Sequence, residues 1–191
     1  MHQLSSAVGR VQLKHYDARC AEIQKALNYF WDLLEGVPGL RAHRTDPKDR
    51  KTNMAGWYAP HGLYVPKELG GLSVTRFAEA VKAEGSLCVL GTNQLLHLHP
   101  LFNTADVCGD GKPRRIAFSD RDLRQPPGSL PVTEAAPARA YSIPWFKHDR
   151  PEVIEEHANA FRKAASNYRQ LLKDDPGDPP SLGAWHFVAH R

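Results

Sequence analysis

Tyr16, Cys20, Ile23, Leu27, Phe30 and Leu34 recur at alternating steps of four and three, which lines them along one side of a helix. Upstream, Leu4, Val8 and Val11 form a second stripe that drifts out of phase with the first. The pattern predicts one long opening helix that changes its buried face partway. Gly36 as a left-handed cap and Pro38 as a breaker end it. Gly9 costs about 1 kcal/mol relative to alanine inside a helix, so its presence predicts close approach of another backbone there.

Further along, Trp57-Tyr58-Ala59 and Leu63-Tyr64-Val65 are aromatic and β-branched runs separated by Pro60 and Gly62, which favours edge strands or a bulged strand. Ser73 caps a helix whose inner face is Val74, Phe77 and Val81 and which Gly85 ends. Leu87 to Leu90 reads as a short buried strand. Arg115 to Phe118 reads as another, entered through a turn at Gly109 to Pro113. The last strong element starts near Asp149, where Asp149 and Glu152 have capping-box spacing. Ile154, Ala158, Phe161, Ala165, Tyr168 and Leu172 then give a stripe of about six turns. Residues 174–180 are rich in Asp and Pro, and the tail beyond carries Trp185, Phe187 and Val188 with too little length to fold alone. The predicted fold is α+β: an α/β sandwich with a long N-terminal helix, a small, mostly antiparallel sheet packed by helices, and a long C-terminal helix.

Composition fits one small domain. Of 191 residues 41% are hydrophobic and 24% charged, which is far from disordered or collagen-like usage. A net charge of +4 is too diffuse to argue for nucleic acid. The one dense basic stretch, Arg41 to Lys51, is broken by Pro, Thr and Asp and lacks aromatics for base stacking, so it reads as a solvated loop. Cys20, Cys88 and Cys108 are odd in number and widely spaced, which fits reduced thiols and a cytoplasmic setting. Cys20 and Cys88 fall in apolar patterns and read as small core residues. The chain opens without the basic and apolar pattern of a targeting peptide, and no apolar run approaches membrane-spanning length.

Candidate chemistry is sparse. In an extended segment His97 and His99 would share a face and offer half a metal site. Zinc usually takes three or four protein ligands, and His43 and His61 lie in unrelated loops, so hydrogen-bonded structure is the plainer reading of the pair. No Gly-x-Ser-x-Gly elbow occurs. The turn Gly109-Asp-Gly-Lys112 lacks the spacer and the Ser/Thr of a phosphate loop. Ile143-Pro-Trp-Phe-Lys147 brings aromatics and a cation together, as a pocket wall or as core packing with an exposed lysine.

The block Gly91-Thr-Asn-Gln-Leu-Leu-His97-Leu-His99-Pro-Leu-Phe102, read with the helical opening, resembles the small domain of DegT/StrS-type aminotransferases, which use pyridoxal phosphate (PLP) to aminate keto-sugars and keto-cyclitols. The chain from Met1 is similar to the stretch of that family that starts at the methionine of its Asn-x-Arg-Met segment. The resemblance continues through Leu-Leu-Glu-Gly-Val-Pro-Gly-Leu40 and Phe77-Ala-Glu-Ala-Val-Lys-Ala-Glu-Gly85. His97 matches the histidine of a Pro-Leu-His motif, with Leu95 in place of its proline, and Ser129-Leu-Pro-Val-Thr-Glu134 matches a Leu-Pro-x-x-Glu block. Residues 1–172 are covered.

The resemblance implies an aminotransferase C-terminal (small) domain over 1–172 with its leading interdomain helix, then a Pro/Asp-rich linker and short tail over 173–191. It implies that the cofactor lysine belongs to a domain upstream of Met1. On that expectation this chain holds no catalytic or cofactor-binding residue of its own, while His97, Asn93 and Lys147 offer hydrogen bonds to substrate hydroxyls. The complete enzyme would be a homodimer passing an amino group from glutamate or glutamine to an inosose-like ketone. The alternatives are a non-catalytic interaction or ligand-binding module derived from that domain, and a metal-dependent enzyme centred on His97 and His99.

Overall fold

The computed structural model describes residues 2–179 apart from 47, 50, 51, 92, 93, 114, 115 and 117. Helix α1, Gln3–Leu33, is followed by strand β1, Leu40–Ala42, and strand β2, His61–Tyr64. After a 3₁₀ turn at Pro66–Leu69 come α2, Val74–Ala83, and β3, Val89–Leu90. A 3₁₀ turn at Leu96–Leu98 leads into the single-turn α3, Pro100–Asn103. Helix α4, Pro131–Ala135, and a 3₁₀ turn at Pro137–Arg139 precede β4, Ala140–Ser142. The chain closes with α5, Pro151–Ser166, the short α6, Tyr168–Leu171, and a 3₁₀ turn at Leu172–Asp174. Among the described residues no helix is long and apolar enough to cross a membrane.

The strands form a four-stranded antiparallel sheet in the order β1-β2-β4-β3. Its period-2 alternation turns Gly62, Tyr64 and Tyr141 toward the helices and His61, Leu63 and Ser142 away from them. Helices α1 and α2 both pack against α5 over that inner face. Phe30, Phe77, Tyr141 and Phe161 meet there, all fully buried, with Phe30 and Phe161 edge to face at 5.5 Å between ring centroids. Gly62 is required by this packing. A Cβ at that position would lie 2.6 Å from Trp31 Cη2 and closer still to the Tyr141 ring.

The α+β fold, the long first helix and the antiparallel sheet match the sequence expectation. Ser73 caps α2 as its spacing predicts, accepting from the Arg76 N–H, and Val74, Phe77 and Val81 are fully buried. Several local expectations are corrected. The α1 stripe is buried only from Ala26 onward, whereas Tyr16 is exposed and the second stripe, Leu4, Val8 and Val11, faces solvent. Among the described residues nothing approaches within 4 Å of a Cβ built on Gly9, so none of them supplies the backbone contact expected there.

Arg41, placed by its polar neighbours in a loop, lies in β1, because Leu63 offers it a pairing partner. Trp57 to Ala59 form no strand. Ala55, Trp57 and Ala59 adopt left-handed backbone (φ 45°, 50° and 49°), which makes this stretch a strained turn. Strand β2 is internal rather than an edge. Leu87 and Val89 are half exposed because β3 is the edge strand, while Cys88 is fully buried. Ile116 is helical and Phe118 lies in a turn, against the strand expected over Arg115 to Phe118; residues 115 and 117 lie outside the described set.

Asp149 does not cap the last helix. It pairs with Lys25, and Pro151 at the first turn supplies the start instead. The six-turn stripe is interrupted at Asn167, between α5 and α6. Within the segment expected to be a linker, Asp175 and Asp178 are bonded to the start of α2. Asp175 accepts from the Ser73 N–H and hydroxyl, and Asp178 accepts from the Thr75 N–H at 3.0 Å and its hydroxyl at 2.8 Å. Two carboxylates from the far end of the chain thereby satisfy the N-terminal donors of α2. The tail with Trp185, Phe187 and Val188 lies outside the described residues.

Candidate functional site

His97 sits on the 3₁₀ turn Leu96–Leu98, so His97 and His99 do not share the face of an extended segment. The turn is closed by its own polar groups. Asn103 Nδ2 donates to the carbonyls of His97 at 2.7 Å and His99 at 2.9 Å. His99 Nδ1 accepts the Leu101 N–H at 3.0 Å and so caps α3. Among the described residues no group of three His, Cys, Asp or Glu is placed to hold a metal ion.

The His97 ring is buried, and its Nε2 lies 3.2 Å from Glu134 Oε1. Glu134 comes from α4, and its carboxylate also accepts the N–H groups of Gly128 at 2.8 Å and Leu130 at 3.1 Å. Those backbone donors, and then His97, hold the Glu134 carboxyl below the usual carboxylate range. An ionised Glu134 accepts from Nε2–H, which fixes the tautomer and leaves Nδ1 as the ring's acceptor. The motif residue His97 and the motif residue Glu134 thus meet across 37 positions of sequence.

A cleft of about 870 Å³ opens beside this pair, within the range of small-molecule sites. Leu96, Leu101, Phe102, Val107 and Leu130 make it apolar, and His97, Cys108 and Thr133 supply its polar atoms. Among the described residues no Lys or Arg lines it. Among the described residues the cleft therefore does not fit PLP as a group held by this chain. Cys108 is exposed there, whereas burial pushes the Cys88 thiol up to about 12 and makes it inert.

Of the sequence-predicted substrate contacts, His97 lines the cleft and Asn93 lies outside the described residues. Lys147 stands outside the lining, its ammonium 5.1 Å from the centre of the Trp145 ring. Trp145 in turn donates its indole N–H to the Gly56 carbonyl. Glu134 is the site residue that the sequence expectation missed. Its signal was present in the Leu-Pro-x-x-Glu block, but only folding shows that the carboxylate aims at His97.

No family model matches the chain. Its fold is similar to that of the aminotransferase from Psychrobacter cryohalolentis, with a TM-score of 0.59 and 17% sequence identity over 88% of this chain. This chain spans 40% of the length of that one. The fold is thus similar to that of a part, less than half, of that aminotransferase.

Proposed function

We propose that this chain is the C-terminal, small-domain portion of a PLP-dependent aminotransferase of the DegT/StrS type, acting on a keto-sugar or keto-cyclitol with glutamate or glutamine as donor. The observation that carries the reading is the His97–Glu134 pair at the mouth of an apolar cleft. Each residue belongs to a block that resembles the family, and neither block predicts contact with the other. On this reading the cofactor and its lysine belong to the rest of the enzyme. This chain supplies a wall of the substrate site.

Glu134 holds the His97 ring so that Nδ1 accepts a hydrogen bond from a substrate hydroxyl, while the apolar lining excludes water around the carbon skeleton. By the same resemblance Asn93 and Lys147 are assigned hydrogen bonds to substrate hydroxyls. In the complete homodimeric enzyme His97→Ala lowers kcat/KM for the ketone substrate by roughly tenfold or more while the cofactor absorbance stays intact. Unchanged kinetics would remove the pair from the substrate site.

The second reading, a non-catalytic interaction module, draws on the exposed apolar side chains of α1, among them Leu4 and Val8. Intact mass of the protein from its native source separates the two. A mass well above that of 191 residues favours the enzyme, and a mass equal to it favours the module.

A further inference from the structure

A cleft of about 680 Å³ lies between the C-terminal end of α1 and strand β1, and all three residues of β1 line it. Strand β1 is an edge of the sheet. The Val65 N–H reaches the Gly39 carbonyl and Arg41 stands opposite Leu63, so the ladder to β2 runs through Gly39 and Arg41. The N–H and C=O groups of Leu40 and Ala42 therefore turn to the open side. Those of Leu40 are provided for, since its N–H meets the Val37 carbonyl at 3.4 Å and its carbonyl accepts from the Arg41 guanidinium at 2.8 Å. Ala42 keeps a donor and an acceptor facing outward, the pair that a further strand would use.

Trp31 lines the same cleft. It is only 2% exposed, and its indole N–H is buried without an acceptor. A buried donor left unmet is costly, which makes it a place where a ligand can contribute an acceptor. Leu34, Pro38 and Leu40 add apolar contact beside it. The guanidiniums at the rim are already neutralised, Arg41 by Glu68 and Arg44 by Asp32 at 2.8 Å. Glu35 is exposed in the lining and has no ion-pair partner among the described residues. That charge balance disfavours a small anion. An outward backbone pair, an unmet donor, an apolar wall and one unpaired carboxylate are together the complement of an extended peptide that carries apolar side chains and a cation.

We propose that β1 is the docking edge for an extended, cationic segment of a partner protein, which adds beside Ala42 as a fifth strand, gives a backbone carbonyl to Trp31 and sets a lysine or arginine against Glu35. The site does not depend on the aminotransferase reading.

The test is a titration of the 191-residue chain at low ionic strength with the blocked peptide acetyl-Thr-Val-Lys-Val-Thr-amide, followed by amide and indole N–H chemical shifts. The same peptide with glutamate in place of lysine is the charge-reversed control. Concentrations up to about 10 mM fill roughly nine-tenths of a site with a Kd of about 1 mM. The lysine peptide shifts the Ala42 amide and the Trp31 indole N–H saturably, and the glutamate peptide binds at least about fivefold more weakly. Glu35→Gln removes most of that difference. Ala42→Pro deletes the outward N–H, a change that an edge strand tolerates, and raises Kd for the lysine peptide at least about fivefold. Near-UV circular dichroism verifies the fold of both variants, and Glu35→Gln carries the test if Ala42→Pro unfolds. No saturable shift at Ala42 and Trp31 overturns the proposal, as do equal affinities of the two peptides. Movement of the same two signals on dilution without peptide overturns it as well and gives the edge to a second copy of the chain.

Discussion

Gly62 leaves no room for a side chain, because Trp31 from α1 and Tyr141 from β4 fill the space it would need. Neither ring can withdraw, since both are buried in the central cluster. Gly62→Ala therefore destabilises the protein by roughly 1–3 kcal/mol, read as a lower urea midpoint with an unchanged slope. Glu134 acts at a looser place but on more partners. Its carboxylate gathers two backbone N–H groups and His97, and those bonds need the anion. Glu134→Gln speeds amide exchange at Gly128 and Leu130 by roughly tenfold and widens the His97 side-chain distribution, with the global midpoint little changed. Unchanged exchange would mean that the segment is held by something other than this carboxylate.

Among the elements, the turn at Ala55 to Ala59 and the start of α2 show opposite relations between local sequence and structure. Trp57-Tyr58-Ala59 has the composition of a strand, yet the bonds from Gln24 and Trp145 override that preference. Left-handed backbone at a non-glycine residue costs about 1–3 kcal/mol, and glycine returns about 0.4–1 kcal/mol of that as unfolded-state entropy. Ala59→Gly is accordingly stabilising by roughly 0.5–1 kcal/mol in thermal unfolding, and a loss of stability would show that the turn is unstrained.

At α2 the sequence was legible. Ser73, the Val74, Phe77 and Val81 stripe, and Gly85 are local signals that obey helix geometry. What stayed hidden is that Asp175 and Asp178 complete the cap, a contact across 102 and 103 positions. The same limit hid β1, which exists because β2 pairs with it, and the pairing of His97 with Glu134, although both residues stood in recognisable blocks.

Partial burial works to raise the Asp175 carboxyl, but the Ser73 hydroxyl, the Ser73 N–H and the Gly177 N–H outweigh it and hold the group below its ordinary value. A depressed carboxyl stabilises the fold above the unfolded pKa and loses that contribution as pH falls through the folded one. Asp175→Asn thus flattens the acid limb of the stability profile below about pH 4, and a limb of unchanged slope would assign it to other carboxylates.

For the molecule as a whole, the informative contrast lies within α1. Its C-terminal part delivers Ala26, Leu27, Phe30 and Trp31 to the core and is tied to α5 through Tyr29 with Glu155 and through Arg162 with the Leu33 carbonyl. Its N-terminal part leaves Leu4 71%, Val8 56%, Val11 53% and Leu13 72% exposed. A helical segment without tertiary packing is marginal in water at about 12–15 residues, since nucleation is costly and each added bond gains little. The N-terminal turns then fray independently of the core. Amides of residues 4–15 exchange close to unprotected rates, whereas those of Leu27 to Leu33 exchange only through global unfolding. Deleting residues 1–15 shifts stability by no more than roughly 0.5 kcal/mol, while Leu27→Ala costs roughly 2–5 kcal/mol, because it alone opens a cavity in the packed cluster. A deletion that costs more than about 1 kcal/mol would place the N-terminal half inside the cooperative unit, and the exposed stripe would then be covered in solution by another surface.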